Sequence, residues 1–326
     1  MQLEKPFRIL LYYYYNPIEN TDAIIREQEE FCEAHHLLGR ILIAPEGING
    51  TVSGLQADTD SYIKFMENHP VFKGITFKVD SASGHSFLKL NVRFKLEIVH
   101  FGTEHPQPPL EPGNYLEPAE WREMMKTEDP DRVILDVRSD YEWKLGKFKD
   151  AVTFDIHNFR ELPEKMDELE KYKDKKIYTY CTGGIKCEKV SSWLKEKGFD
   201  NVYQLHGGII KYGHEVGGED FEGACYVFDQ RVSVPVNTVN PKVISHCEVC
   251  KTAESDRYVN CANSACNNHF TICEDCATKY EGCCSEACHQ NPHRRIYDGR
   301  GYYLRGVNSK LYKDNPDPNY VRKMGL

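Results

Sequence analysis

The run KIYTYCTGGIKCEKVSSWL, residues 176–194, joins a strand-type segment to a helix-type segment through a turn that sets two glycines between two cysteines. RVILD (132–136) and NVYQL (201–205) are further strand-type runs, separated from it by helix-type stretches. Such alternation implies a parallel sheet wrapped by helices. Ligands of open parallel sheets gather at the carboxyl ends of the strands. The residue that follows KIYTY is Cys181, so its sulfur belongs at that edge.

The helix after the turn carries Val190, Trp193 and Leu194 on one face and is expected to end at Gly198. Strand, glycine turn and helix together put Cys181 at a helix N-terminus. There, unpaired N–H groups and the positive end of the helix dipole favour an anion, and successive amides around a glycine turn form a concave anion nest. Both effects favour thiolate, so Cys181 is expected to have a lowered pKa and to react at neutral pH. Lys186 adds positive charge if it points inward. The bland alternative, a small buried hydrophobe at a strand end, leaves Gly183, Gly184 and the second cysteine unexplained. Cys187 reads in three ways: a resolving thiol, a packing residue of the first helical turn, or a second catalytic group. Asp136 and Arg138 read either as supporting groups of the site or as a buried ion pair fixing the sheet end.

The first hundred residues follow a different order. Phe7–Tyr14 reads as a strand, 22–38 as a helix stopped by Gly39, then Arg40–Ala44 and Gly50–Ser53 as strands joined through PEGING. A helix over 58–68 and strands over Ile75–Val79 and Leu88–His100 complete a β-α-β-β-α-β series, the order of a ferredoxin-like (acylphosphatase-like) domain. Four prolines in TEHPQPPLEPGN, residues 103–114, mark a linker. The expected organisation is therefore multidomain, α+β and α/β: a ferredoxin-like domain over 1–102, a linker over 103–115, a parallel α/β domain over 116–222 and a cysteine-rich region with a basic tail over 223–326.

Of the thirteen cysteines, nine lie between Cys247 and Cys288. Tight Cys-x2-Cys pairs and an odd total point to metal ligands plus a reactive thiol rather than to disulfides. Cys247 with Cys250, Cys261 with Cys266, Cys273 with Cys276, and Cys283 or Cys284 with Cys288 form four successive pairs. Tetrahedral zinc takes four such ligands, so four pairs suggest two structural zincs, with pairing open and His269 or His289 able to replace a cysteine. Another metal, or metal-free thiols in a small core, are the alternatives. The N-terminus lacks a signal-peptide pattern and no apolar run approaches a membrane span, so the chain reads as cytosolic. Its formal charge of -9 argues against indiscriminate nucleic-acid binding but leaves room for a local basic groove. Lys89, Arg93 and Lys95 alternate along one strand and share a face, either as RNA contacts or as a solvated edge. The tail 294–326 holds eight Lys or Arg against three Asp, with Tyr302, Tyr303 and Tyr312 available to stack on bases or to dock the tail on the core.

ILDVRSDYEW, GKFKDA, YCTGGIKCEK and LHGGI make the stretch 116–215 resemble a rhodanese domain, in which the matching cysteine carries a persulfide cradled by loop amides. PEGINGTVSG, LKLNVRFKLEIVHFG, CYVFDQRVSV and RYVNCANSACN extend the likeness over the whole chain, which resembles the bacterial, rhodanese-containing family of oxygen-dependent tRNA uridine(34) hydroxylases. The resemblance implies formation of 5-hydroxyuridine at the wobble position, with Cys181 needed for activity. It also implies Thr182, Gly183, Gly184, Ile185 and Lys186 as the active loop, molecular oxygen as co-substrate and a tRNA anticodon stem-loop as partner, without membrane or DNA. No flavin, haem or non-haem iron motif is visible, and no organic cofactor is expected.

The wobble base lies in a single-stranded loop and can be splayed into a pocket. Carbon 5 of uracil becomes nucleophilic once a thiolate adds at carbon 6. Alternatively, oxygen or sulfur chemistry occurs first on the thiolate, giving a sulfenate or persulfide for transfer. The runner-up functions are a sulfurtransferase using the same Cys181 and a non-catalytic zinc scaffold or redox sensor.

Overall fold

The computed structural model describes residues 5–102, 112–229, 231–266 and 268–295. The N-terminal sheet is built from β1 (Phe7–Tyr15), β2 (Leu38–Ala44), β3 (Gly47–Leu55), β4 (Lys78–Ala82) and β5 (Leu90–Phe94), with α1 (Thr21–Ala34) and α2 (Gln56–Asn68) on one face. Its order is β4-β1-β3-β2-β5, antiparallel except where β5 runs parallel to β2. Side chains alternate across a strand. Leu10 and Tyr12 therefore pack into the helices, where Tyr12 meets Tyr62 and Tyr62 donates to Gln28. Ile9, Leu11 and Tyr13 face the other way, toward the central domain. Both faces of β1 are covered, which is why FRILLYYYY is apolar or aromatic almost throughout.

Local differences from the sequence expectations have local causes. Helix α1 ends at Ala34, His36 takes a left-handed φ of 52°, and Gly39 lies inside β2 rather than stopping the helix. The strand expected over 75–79 lies at Lys78–Ala82, and the last strand is shortened to Leu90–Phe94, with Val99 and Phe101 turning away to pack in the central core, where Phe101 touches Phe159 and Trp193. Lys89 and Lys95 consequently lie just beyond the two ends of β5, not within it.

The central domain comprises β6 (Asn114–Leu116), α3 (Pro118–Lys126), β7 (Arg132–Asp136), α4 (Asp140–Trp143), β8 (Gly146–Phe148), α5 (Met166–Glu170), β9 (Lys176–Tyr180), α6 (Ile185–Glu196), β10 (Val202–Leu205) and α7 (Gly208–Val216). Strands β6-β10-β9-β7 form the expected parallel sheet, extended by a bridge from Leu135 to Val152. One apolar layer, with Trp193 and Phe199, fills one face, and a second, with Trp121, Tyr180 and Ile209, fills the other. Of the expected linker, 103–111 lies outside the described residues, and Asn114 already belongs to β6.

The expected boundary after residue 222 falls inside β11 (Phe221–Tyr226), which pairs with β8 on one side and β12 (Ser233–Pro235) on the other. A short hairpin of β13 (Tyr258–Asn260) and β14 (His269–Thr271), then α8 (Glu274–Lys279) and α9 (Glu286–His289), carry the cysteine cluster. Among the described residues no helix is long and apolar enough to cross a membrane. The basic tail and its tyrosines fall outside the described residues apart from Arg294, paired with Glu281, and Arg295, bonded to the carbonyls of Ala262 and Cys261.

Candidate active site

The parallel sheet ends at Cys181, and the chain turns through Thr182, Gly183 and Gly184 into α6. Gly184 has φ 102° and ψ -29°, and a Cβ there would meet the Tyr13 hydroxyl at 2.8 Å, so the turn needs glycine twice over. Its amide donates to the Cys181 sulfur at 3.1 Å. The loop carbonyls are tied down as well: Ile209 N–H donates to Cys181 O at 3.0 Å and Ile210 N–H to Thr182 O at 3.1 Å. That approach brings α7 so close that a Cβ on Gly208 would sit 2.5 Å from the Cys181 carbonyl oxygen. The glycines of LHGGI thus let one helix clamp the loop that starts another.

Burial alone would push the Cys181 thiol up. The Cys187 thiol hydrogen-bonded to it, the Lys186 ammonium and the backbone N–H groups of Cys187 and Lys186 outweigh burial, and bring it down from 9.0 to about 6. Cys187 moves the other way, pushed well up by its own burial and by the adjacent Cys181 sulfur. At neutral pH the pair is therefore one thiolate accepting a hydrogen bond from one thiol. Lys186 does point inward: its Nζ lies 2.6 Å from Glu142, which also accepts from Thr182 at 3.2 Å and from the Ser139 N–H at 3.2 Å. Glu142 has no place in the sequence reading, although Ser139-x-x-Glu142 is a legible capping box.

Asp136 and Arg138 are fully buried beneath the loop and do not line the cavity above it. Arg138 donates to both carboxylate oxygens of Asp136, at 2.8 and 2.6 Å, and to Gly146 O at 2.6 Å, while Tyr180 donates to Asp136 at 2.6 Å. This cluster fastens β7, β8 and β9 together.

A cavity of about 930 Å³ opens over Cys181. Its floor includes Cys181, Thr182, Gly183, Ile185 and Lys186, and its roof is the Ile9–Leu11–Tyr13 face of the N-terminal sheet. Phe94, Leu96 and Phe228, all large apolar side chains left exposed, stand among its lining residues. Of the three cations singled out on the strand, Lys95 lines the cavity, and Arg93 is exposed opposite Leu42, itself a lining residue. Lys89 is exposed and does not line it. The roof is locked to α6 through residues that sequence reading passed over. Tyr13 donates to Glu188 at 2.9 Å, Tyr115 donates to the other oxygen of Glu188 at 2.8 Å, and Lys189 lies 2.9 Å from Glu46 and 2.5 Å from Glu97.

The cysteine cluster resolves into two groups of four thiols, each with its sulfurs within 4.8 Å of one another: Cys247, Cys250, Cys273 and Cys276, and Cys261, Cys266, Cys284 and Cys288. The pairs interleave along the chain. Cys284 rather than Cys283 completes the second group: the Cys284 sulfur lies 3.8 Å from those of Cys266 and Cys288, while Cys283 is fully buried in the small local core. Among the described residues neither His269 nor His289 joins a group. Four thiolates about 2.3 Å from one zinc ion stand about 3.8 Å apart. The sulfur separations of 3.8 and 4.0 Å fit that donor set, and either group can hold a metal ion.

Three family descriptions match in succession: a "UPF0176 acylphosphatase like domain" over residues 7–98, a "Rhodanese-like domain" over 117–215 and a "Rhodanase C-terminal" segment over 222–289. A protein of Cytophaga hutchinsonii named tRNA uridine(34) hydroxylase is 53% identical over 304 residues, covering 93% of this chain and 96% of its own. Proteins of the same name from Bacillus cereus and Bacillus cytotoxicus are 48% and 46% identical over 300 and 299 residues, each covering 90% of this chain. Identity at this level over nearly the full length of these relatives, with the loop thiolate in place, means that the chain belongs to the tRNA uridine(34) hydroxylase family.

Proposed function

We propose that this protein hydroxylates carbon 5 of the uridine at position 34 of tRNA, with Cys181 as the attacking group and molecular oxygen as the oxidant. The observation that carries the reading is a depressed thiolate at the floor of a cavity wide enough for a nucleobase and rimmed by exposed aromatic and cationic side chains. A base splayed from the anticodon loop can enter such a cavity and stack there. The thiolate adds to carbon 6, and the electron pair of the 5,6 double bond moves onto the carbonyl oxygen at carbon 4. Carbon 5 of this enolate attacks oxygen. Loss of the carbon 5 proton and departure of the thiolate then restore the double bond. One oxygen atom stays on carbon 5 and the other leaves as water, with two electrons supplied by an external thiol reductant. The active loop, Thr182 to Lys186, holds the sulfur, while Lys89, Arg93 and Lys95 meet the phosphates of the anticodon stem-loop. The two four-cysteine groups hold structural zinc.

The assay is purified protein with a uridine-34 tRNA transcript, a dithiol and 18O-labelled oxygen, read by mass spectrometry of the nucleosides. Singly labelled 5-hydroxyuridine is expected from the wild type and none from Cys181→Ser. Unlabelled product, or equal product from the serine variant, overturns the proposal.

A further inference from the structure

Lys78 plays no part in the chemistry described so far. It sits on β4 directly opposite Leu11, and the Leu11 side chain lies 3.3 Å from where a Cβ on Gly183 would be. The register therefore holds Lys78 on the cavity face of the sheet, just above the active loop, and it lines the same cavity as Cys181. Its ammonium lies over the Tyr13 ring, 5.1 Å from the centroid. Tyr13 is itself pinned to Glu188 on α6, so the lysine is steadied by a ring that the loop's own helix holds in place.

What sets Lys78 apart is half-burial without a partner: Arg40, Lys95 and Arg160, also in the lining, are exposed to solvent. Lys186 is paired with Glu142, and Arg231 with Asp229 and Asp80. The ammonium of Lys78, a half-buried residue, makes no hydrogen bond or ion pair among the described residues. A cation sunk into a cavity without a counter-ion is costly unless something anionic visits. Tyr13, Asp80 and Lys186 line the same cavity as its ammonium, and Cys181, Lys211 and Glu188 act on its charge. Burial lowers its pKa to about 8, the Cys181 thiolate and Glu188 work to raise it, and Lys211 lowers it. At neutral pH it is largely protonated.

We propose that Lys78 is a catalytic residue, contributed by the N-terminal domain, whose ammonium meets the carbonyl oxygen at carbon 4 of uracil and balances the negative charge that arrives there when Cys181 adds to carbon 6. The assignment rests on the hydroxylase reading given above. In this step the sulfur–carbon 6 bond forms, the 5,6 π pair shifts to the carbonyl oxygen, and Lys78 donates a hydrogen bond to that oxygen. Nothing is oxidised. A cation held in place before charge develops stabilises the product of addition more than the neutral ring. It also explains why a small-molecule thiol loop would carry an extra domain as its roof.

The test uses the full chain and an anticodon stem-loop carrying 5-fluorouridine at position 34, whose fluorine blocks loss of the carbon 5 substituent so that the Cys181 adduct accumulates. Lys78→Met should slow adduct formation by about 100-fold, in the range of losing one oxyanion donor. The dissociation constant of the stem-loop should change by no more than about threefold, since a term acting on the developing charge leaves ground-state binding alone. The wild-type rate should fall above pH 8 as the ammonium deprotonates. Lys78→Arg should recover part of the rate and extend it to higher pH, and Lys78→Met should lack the basic limb. A reactive wild type with an equally reactive Lys78→Met overturns the assignment alone. An inert wild type overturns thiolate addition, and the assignment with it.

Discussion

A thiolate that accepts a hydrogen bond from a neighbouring thiol responds to pH unlike either sulfur in isolation. Cys181 falls to about 6 because stabilisation of its charge outweighs burial, so the reactive form predominates above that pH and is lost below it. Alkylation of Cys181 by iodoacetamide, followed by peptide mass spectrometry from pH 4 to 10, should give a half-maximal rate near 6, whereas an ordinary thiol titrates near 9. Cys187→Ala removes the S–H donor. A hydrogen bond to a charged acceptor is worth about 1.5–3 kcal/mol, so the midpoint should move up by about one to two pH units. An unchanged midpoint in that variant would leave Lys186 and the loop amides as the whole cause. Cys181 was legible because strand, glycines and helix are contiguous in sequence. The donor role of Cys187 was not, since it depends on one helical turn bringing its sulfur back to the loop.

Helix α6 shows where sequence periodicity stops informing. Glu188, Lys189, Ser191 and Ser192 carry no packing signal in the sequence, yet all are buried: Tyr13 and Tyr115 donate to Glu188, Glu46 and Glu97 enclose Lys189, and the Gly113 N–H donates to Ser191. Only Val190, Trp193 and Leu194 carried a signal of packing, and that signal was correct for the face toward the central core. The other face is polar because it is an interface between domains. Lys189 there sits between Glu46 and Glu97, both under a tenth exposed. Removing one partner of a buried ion pair strands the others, at about 3–5 kcal/mol. Lys189→Met should therefore lose about that much stability, measured as a lower urea midpoint at pH 7. Burial already pushes Glu46 up, against the pull of Lys189. A carboxyl with a raised folded-state pKa favours folding at low pH and loses that contribution as pH rises through its folded value. The deficit of Lys189→Met should accordingly shrink between pH 7 and pH 5 as Glu46 takes up a proton. A deficit that is constant with pH would mean that lost packing, not stranded charge, is responsible.

At the scale of the whole molecule, the chain is stabilised by unlike means at its two ends. The N-terminal and central domains each bury a broad apolar core, with tyrosines and branched aliphatics between the helices and one face of the N-terminal sheet, and tryptophans, tyrosines and branched aliphatics on both faces of the central one. Beyond about residue 245 the buried apolar side chains among the described residues are, besides cysteines, Val259, Ala262, Phe270, Ile272 and Ala277 in the local core and Tyr258, which packs on Leu145, Ala224 and Tyr226. A core this small does not offset the chain entropy of some fifty residues. Zinc bound at the two four-cysteine groups, as proposed above, would offset it, since structural zinc supplies about 10–16 kcal/mol of apparent binding energy per ion in small zinc-finger peptides. Spacing alone foretold the pairs and their number, but not that they interleave or that Cys284 displaces Cys283, because adjacent residues in a turn send their sulfurs in different directions. Chelation of the purified protein should release two equivalents of zinc. Amide exchange should then become fast over residues 245–295 while β7, β9 and β10 stay protected, since the central sheet takes none of its core from the cluster. Cys284→Ser should lower the zinc content toward one equivalent, whereas Cys283→Ser should keep two and cost stability only through its buried side chain. Protein that holds both ions after loss of Cys284, or that loses protection across the central sheet on chelation, would contradict the division between a metal-held end and an apolar-cored body.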